Sequence, residues 1–238
     1  MLRFPTRPAR SSEPEWMDAP GHPRALIDDN LHDLRRVNRL LGGVRLAVAP
    51  LARLARRVPA REALRILDVA TGAADIPREL CRWADGHGRQ RFVVASDVSL
   101  EILRSARDHE AVPVGLCFVV ADATRLPFRA GAFDVVTSSL ALHHFSPEEA
   151  LAALREQRRC ARVAVLINDI VRSWVTYAGA VVAVRLGSRN RLTRHDGPLS
   201  ALRAYTVDEM RGLARKAGLT PVEWHSFLFY RVSLTATV

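Results

Sequence analysis

Three short apolar runs in this 238-residue chain each carry an aspartate to their far end, and their order and spacing leave few folds open. The first, Arg65-Ile-Leu-Asp-Val-Ala-Thr-Gly-Ala-Ala-Asp-Ile-Pro77, reads as a buried parallel strand delivering Asp68. A tight turn of small residues follows through Ala70, Gly72 and Ala74, then a helix from about Ile76. Small residues let a backbone approach a ligand closely. The helix start beyond them offers unpaired N–H groups and the positive end of a dipole to a carboxylate or phosphate. Arg91-Phe-Val-Val-Ala-Ser-Asp97 repeats the pattern, and so does Leu116-Cys-Phe-Val-Val-Ala-Asp122, which continues into Ala123 and the turn Arg125-Leu-Pro-Phe128. A fourth strand, Phe133-Asp-Val-Val-Thr-Ser138, runs into Leu140-Ala-Leu-His-His-Phe145. Strands alternating with connections of helix length predict an α/β fold with a doubly wound, mostly parallel sheet. That sheet collects three carboxylates and two histidines along one edge, the edge at which open α/β sheets bind ligands.

Composition removes several competitors. Lys216 is the only lysine beside 34 arginines. A phosphate loop of the Gly-Lys-Ser/Thr type is excluded, because Ala217 follows that lysine. A Tyr-x-x-x-Lys dehydrogenase would need tyrosine at Gly212, and a pyridoxal enzyme would need its Schiff-base lysine in an ordinary amphipathic helix. Cys81, Cys117 and Cys160 are widely spaced, with no C-x-x-C and no His/Cys cluster, so the sequence offers neither a disulfide framework nor a metal site and points to a reducing, cytoplasmic compartment. The net charge of +10 invites a nucleic-acid reading, but the arginines are spread through every segment and 6% aromatic content leaves few stacking platforms. No apolar run reaches the roughly 20 residues of a membrane span, the longest candidate being Trp174–Val184.

The series LDVATGAAD, ASDVS, FVVADATRLPF and FDVVTSSLALHHF resembles the class I S-adenosylmethionine-dependent methyltransferases, particularly bacterial quinone-biosynthesis and small-molecule (type 11-like) members. The resemblance covers roughly residues 65–235 and implies S-adenosylmethionine as cofactor and a seven-stranded sheet whose last strand is antiparallel. It places Asp68 and the turn Ala70, Thr71, Gly72, Ala74 and Asp75 at the methionine part, Asp97 and Val98 at the ribose, Asp122 and Ala123 at the adenine edge, and Ser138 to Leu142 at the far wall. The sequence departs from the family at Ala70 and Ala74, where many members carry glycine; added methyl groups are expected to narrow the loop. A base would assist transfer to a phenol or activated carbon. His143 comes first, because imidazole titrates near neutral pH and this one leaves the fourth strand beside the expected methyl; His144 and Asp169 follow. Adjacent histidines in a regular element point apart, so at most one is expected to face the substrate. Asp134 reads as structural.

Outside this block, residues 1–23 carry Pro5 and Pro8 where a signal peptide would be apolar, and read as a disordered tail. Residues 24–62 read as two amphipathic helices broken at Gly42-Gly43, packed on the sheet or closing over the site as a lid, and 63–238 as the cofactor-binding domain. After a fifth strand (163–168), Arg172, Trp174, Tyr177 and the apolar helix to Leu186 are the substrate-facing candidates, suiting a small aromatic acceptor. A polar loop is expected over 187–199, then a helix capped by Thr206 with Glu209. A non-catalytic binding subunit and an RNA methyltransferase are the alternatives; oligomeric state is not legible.

Overall fold

Along β1 (Leu64–Val69), Leu64 and Ile66 enter one apolar layer while Leu67 and Val69 enter the other, the two-residue period of a strand covered on both faces. β2 (Arg91–Asp97) splits Val93 from Val94 in the same way, β4 (Phe133–Ser139) splits Val135 from Val136, and β5 (Ala161–Ile170) splits Leu166 from Ile167. With β3 (Leu116–Val120), β6 (Thr220–Phe227) and β7 (Arg231–Thr237) they form one sheet of order β3-β2-β1-β4-β5-β7-β6. Strands β1 to β5 run parallel, and β7 is antiparallel to both its neighbours, as the resemblance implies. The chain winds from β1 outward through β2 and β3, then returns to β4 on the other side. The ligand crevice of such a sheet opens at that reversal, beyond the carboxyl ends of β1 and β4.

The computed structural model describes residues 7–238. Its helices are α1 (Arg24–Leu40), α2 (Gly43–Val48), α3 (Leu51–Ala55), α4 (Asp75–Gly86), α5 (Leu100–Asp108), α6 (Pro147–Cys160), α7 (Trp174–Gly187), α8 (Arg191–Arg203) and α9 (Val207–Lys216). Two of them start on capping boxes, Thr206 with Glu209, as the sequence predicts, and Ser146 with Glu149 behind Pro147. α2 to α5 cover one face of the sheet, α6 and α9 the other. Leu46, Ala47, Leu51 and Leu54 are almost wholly buried, so the segment after the glycine break packs on the sheet as part of its core; Pro50 divides the expected second helix. α1 packs separately, with Ile27 and Leu31 against Ala73. Among the described residues no helix is long and apolar enough to cross a membrane.

Two expectations change. The polar loop over 187–199 is mostly α8, capped by Asn190, whose side chain accepts from the N–H groups of Leu192 and Thr193. Gly197 and Pro198 hide this helix from sequence. The glycine is there because α7 lies so close that a Cβ would sit 2.6 Å from Val184. Residues 8–18 are not a free tail. Arg10 donates to the carbonyls of Arg203 and Phe145 at 2.7 Å, and Ser11 pairs with Leu202 through its backbone. The N–H groups of Trp16 and Met17 both end on Asp196 at 2.9 Å, and the Trp16 ring stacks on His195. Charge and ring contacts, not apolar periodicity, hold this strap, which is why hydropathy missed it. Residues 1–6 of the expected tail lie outside the described residues.

Candidate active site

The turn after β1 holds three left-handed residues, Ala70 (φ 53°), Gly72 (φ 52°) and Ala74 (φ 50°). Two are alanines, each costing about 1–2 kcal/mol in that conformation, so the turn keeps its shape at the price of strain. A Cβ at Gly72 would meet nothing within 4 Å, and the loop is open on that side. Its other contacts fasten it: the Thr71 N–H donates to the Ser96 carbonyl, the Thr71 hydroxyl to Asp68 Oδ2 at 2.6 Å, and the Gly72 N–H to Asp97 Oδ2 at 2.9 Å. Two buried carboxyl oxygens beside this turn, Asp68 Oδ1 and Asp75 Oδ2, have no hydrogen-bond partner among the described residues. Burial pushes the Asp68 carboxyl up to about 8, against the Thr71 hydrogen bond and with Asp75 and Asp97 adding to the rise. An open cradle of small residues with unpartnered carboxyl oxygens fits the α-ammonium group at the amino-acid end of S-adenosylmethionine.

Asp97 at the end of β2 also accepts from the Ser99 N–H at 3.0 Å; burial raises its carboxyl and these two N–H groups oppose the rise. Val98, 70% exposed, stands beside it as an apolar shoulder. Asp122 is exposed and fixed by Thr124, whose N–H and hydroxyl share its Oδ1, and Ala123 is buried behind it. Ser138 and Leu142 are turned into the core, Ser138 against Gln157 and Leu142 in the apolar layer. Leu140 takes a left-handed φ of 53° as it leaves β4, its N–H held by the Asn168 carbonyl. That bend throws His143 over the end of β5.

There His143 Nδ1 donates to Asp169 Oδ1 at 2.7 Å, both side chains being nearly fully buried. Burial alone would raise the Asp169 carboxyl; the charge and hydrogen bond of His143 outweigh it and hold it below its ordinary value. His144 makes the matching bond to Asp18 of the strap at 2.9 Å. The expectation that the two histidines point apart fails. They sit in a short 3-10 turn (Leu142–His144), each ring is anchored at Nδ1 by its own carboxylate, and the ring centres lie 4.4 Å apart. Both Nε2 atoms look toward Glu15 of the strap, 3.6 Å from His143 and 3.7 Å from His144. Burial works against a charged His144, but Glu15 first and then Asp18 raise it to about 9. Glu15 and Asp18 were not found from sequence; the only signal was Trp16-Met17, apolar residues in an otherwise polar stretch.

Of the substrate candidates, Arg172 is committed elsewhere, donating to the Ala204 carbonyl and to Glu209 at 2.8 Å and so tying the end of β5 to α9. Trp174 is 45% exposed and meets Tyr177 edge to face at 6.2 Å on the first turn of α7. Asp134 is structural, as expected, accepting from the Arg65 N–H and from Arg162.

Residues 66–163 match the family described as "Methyltransferase domain". The chain is 37% identical over 99 residues to the ubiquinone/menaquinone biosynthesis C-methyltransferase UbiE of Stutzerimonas stutzeri, a match covering 40% of this chain and 38% of that protein. It is 34% identical over 150 residues to the demethylmenaquinone methyltransferase of Beutenbergia cavernae, covering 59% and 58%. The matches thus span about two fifths to three fifths of these relatives. Human N-acetylserotonin methyltransferase, solved in complex with S-adenosylmethionine, superposes with a TM-score of 0.67 at 12% identity over 90% of this chain and 56% of that one, a likeness of fold.

Proposed function

We propose that this chain, whose residues 66–163 match the methyltransferase-domain family on a sheet of that order, is a class I S-adenosylmethionine-dependent methyltransferase that moves the cofactor's methyl group to an oxygen or carbon of a small hydrophobic aromatic acceptor, of the phenol, quinol or polyketide type. The observation that carries this reading is the buried His143–Asp169 pair at the end of β4 and β5, on the same sheet edge as the open turn and Asp97. When bound, S-adenosylmethionine supplies a sulfonium-activated methyl. The chain's task is then to hold a nucleophile in line and exclude water, a positioning effect worth about 7–11 kcal/mol. Asp68 and Asp75 are suited to the amino-acid end, the carboxylate of Asp97 to the ribose hydroxyls, and Val98 to one face of the purine. His143, with Nδ1 tied to Asp169, presents Nε2 to take the acceptor's proton, and Asp169 stabilises the imidazolium that results.

Calorimetry should find S-adenosylmethionine binding at micromolar affinity, weakened more than tenfold in Asp97→Ala, which removes both the ribose acceptor and the anchor of the Gly72 N–H. Absence of binding by the unaltered chain, or tight NAD binding in its place, overturns the reading. Turnover of labelled cofactor on a panel of phenols and quinols, above a boiled control, separates an enzyme from a binding subunit.

The aromatic acceptor is supported by α7, whose exposed residues include Trp174, Val175, Val182 and Leu186. Trp174→Ala should raise KM for an aromatic acceptor about tenfold and leave cofactor affinity within twofold, since only acceptor burial is lost. Equal loss of both would place Trp174 in the packing of α7.

A further inference from the structure

The distances around Glu15 do not suit hydrogen bonds. Its carboxylate lies 3.6 Å from His143 Nε2 and 3.7 Å from His144 Nε2, beyond the range at which N–H donates effectively to oxygen. They do suit two donors sharing one ion: ligands about 2.0–2.1 Å from a tetrahedral divalent cation stand about 3.4 Å from each other. One donor atom from each of Glu15, His143 and His144 falls within 4.8 Å of the other two.

The surroundings are arranged for the same purpose. A ligating imidazole needs a free lone pair on one nitrogen and a partner fixing the other. Here Asp169 takes the Nδ1–H of His143 at 2.7 Å and Asp18 that of His144 at 2.9 Å, so that Nε2 of each ring faces Glu15 and ligates once a bound ion has displaced any proton it carries. Glu15 is itself steadied by the Ser200 hydroxyl at 2.8 Å. Arg203 is the nearby cation, 3.9 Å from Glu15, with its donors turned to the carbonyls of His143, His144 and Glu13.

We infer that Glu15, His143 and His144 form a binding site for a divalent transition metal of the zinc, cobalt or iron(II) class, with at least one coordination position open. Two imidazoles and one carboxylate are a donor set for such ions, not for magnesium or calcium. This departs from the sequence reading, which found no metal motif because the third ligand lies over a hundred residues from the histidines. With the ion bound, the Nε2 lone pair of His143 is committed to it. Acidification of an acceptor hydroxyl then passes from imidazole to ion, the proton leaving to solvent. The binding inference stands independently of the methyl-transfer reading.

The test uses the full chain, freed of metal by a chelator and titrated with Co²⁺ followed by its visible absorption, and with Zn²⁺ by calorimetry. One equivalent should bind with micromolar affinity or better. Glu15→Gln and His144→Asn should each weaken it at least 100-fold, and Asp18→Asn about tenfold, while His225→Asn on exposed β6 leaves it unchanged. S-adenosylmethionine binding by each variant reports that it is folded. No saturable Co²⁺ or Zn²⁺ binding, or binding that survives in folded Glu15→Gln and His144→Asn, overturns the inference. Co²⁺ binding without any cofactor binding would instead sustain the metal site and sink the methyltransferase reading.

Discussion

Asp169→Asn should reduce methyl transfer by roughly 10²–10⁴-fold, with S-adenosylmethionine affinity unchanged within about twofold. The side chain keeps its shape and loses its charge. An asparagine can donate its own amide to His143 Nδ1, which moves the imidazole proton to Nε2 and removes the lone pair from the reacting side. Even with the original tautomer, a neutral partner no longer stabilises the imidazolium. His143→Ala should match it, and the double variant should lose no more than either alone, because the pair acts as a unit. Single-turnover kinetics with the labelled cofactor, beside calorimetry, read the two quantities separately. Turnover within threefold of the unaltered chain in Asp169→Asn would remove this pair from the chemistry.

Much of that candidate site is legible in the sequence. Asp68 and Asp97 announce themselves because a parallel strand buried on both faces is a nearly continuous apolar run, and Asp122 because the edge strand β3 keeps that apolar composition though it is partly exposed; an acid ending such a run points to the ligand edge. His143 and Asp169 are found for the same reason, His143 lying beyond the end of β4 and Asp169 in the last residues of β5. Glu15, Asp18, Asn38 and Arg231 follow no periodic pattern. They reach the site by hydrogen bonds and charge across long stretches of chain, as Arg231 does to Asn38, 193 positions away. Local spacing encodes a strand or a helix; it does not encode which polar groups meet once the elements are stacked. α8 was lost through Gly197 and Pro198, where close packing on α7 overrides propensity.

Arg231→Ala should lower stability by about 3–5 kcal/mol, which for a chain of this size is a fall of roughly 6–20 °C in Tm. Its guanidinium is fully buried, donating to Asn168 Oδ1 at 2.9 Å and Asn38 Oδ1 at 2.8 Å, and burial draws it down to about 10 against the pull of Asp169. Removal leaves two amide oxygens unpaired and a cavity beneath the glycine break. Gly43 is part of the same arrangement: a Cβ there would fall 2.5 Å from Asn38 Oδ1 and 2.7 Å from the guanidinium, so the backbone is drawn in as close as glycine permits. Differential scanning calorimetry measures the change, and a Tm within 3 °C of the unaltered protein would show that this network is held by something other than its arginine.

The strap imposes a timetable on synthesis. Arg10 and Glu15 leave the ribosome before their partners Arg203 and Ser200, which are made 193 and 185 positions later. At about 5–20 residues per second, these two contacts wait roughly 10–40 s for their partners. Through that interval β1 to β5 can already pair and His144 can meet Asp18, while Glu15 still lacks Ser200 and the Trp16 and Met17 N–H groups lack Asp196, so the sheet edge is assembled well before the candidate site is closed. Ribosome-bound chains stalled near residue 190 should therefore be compact and inert.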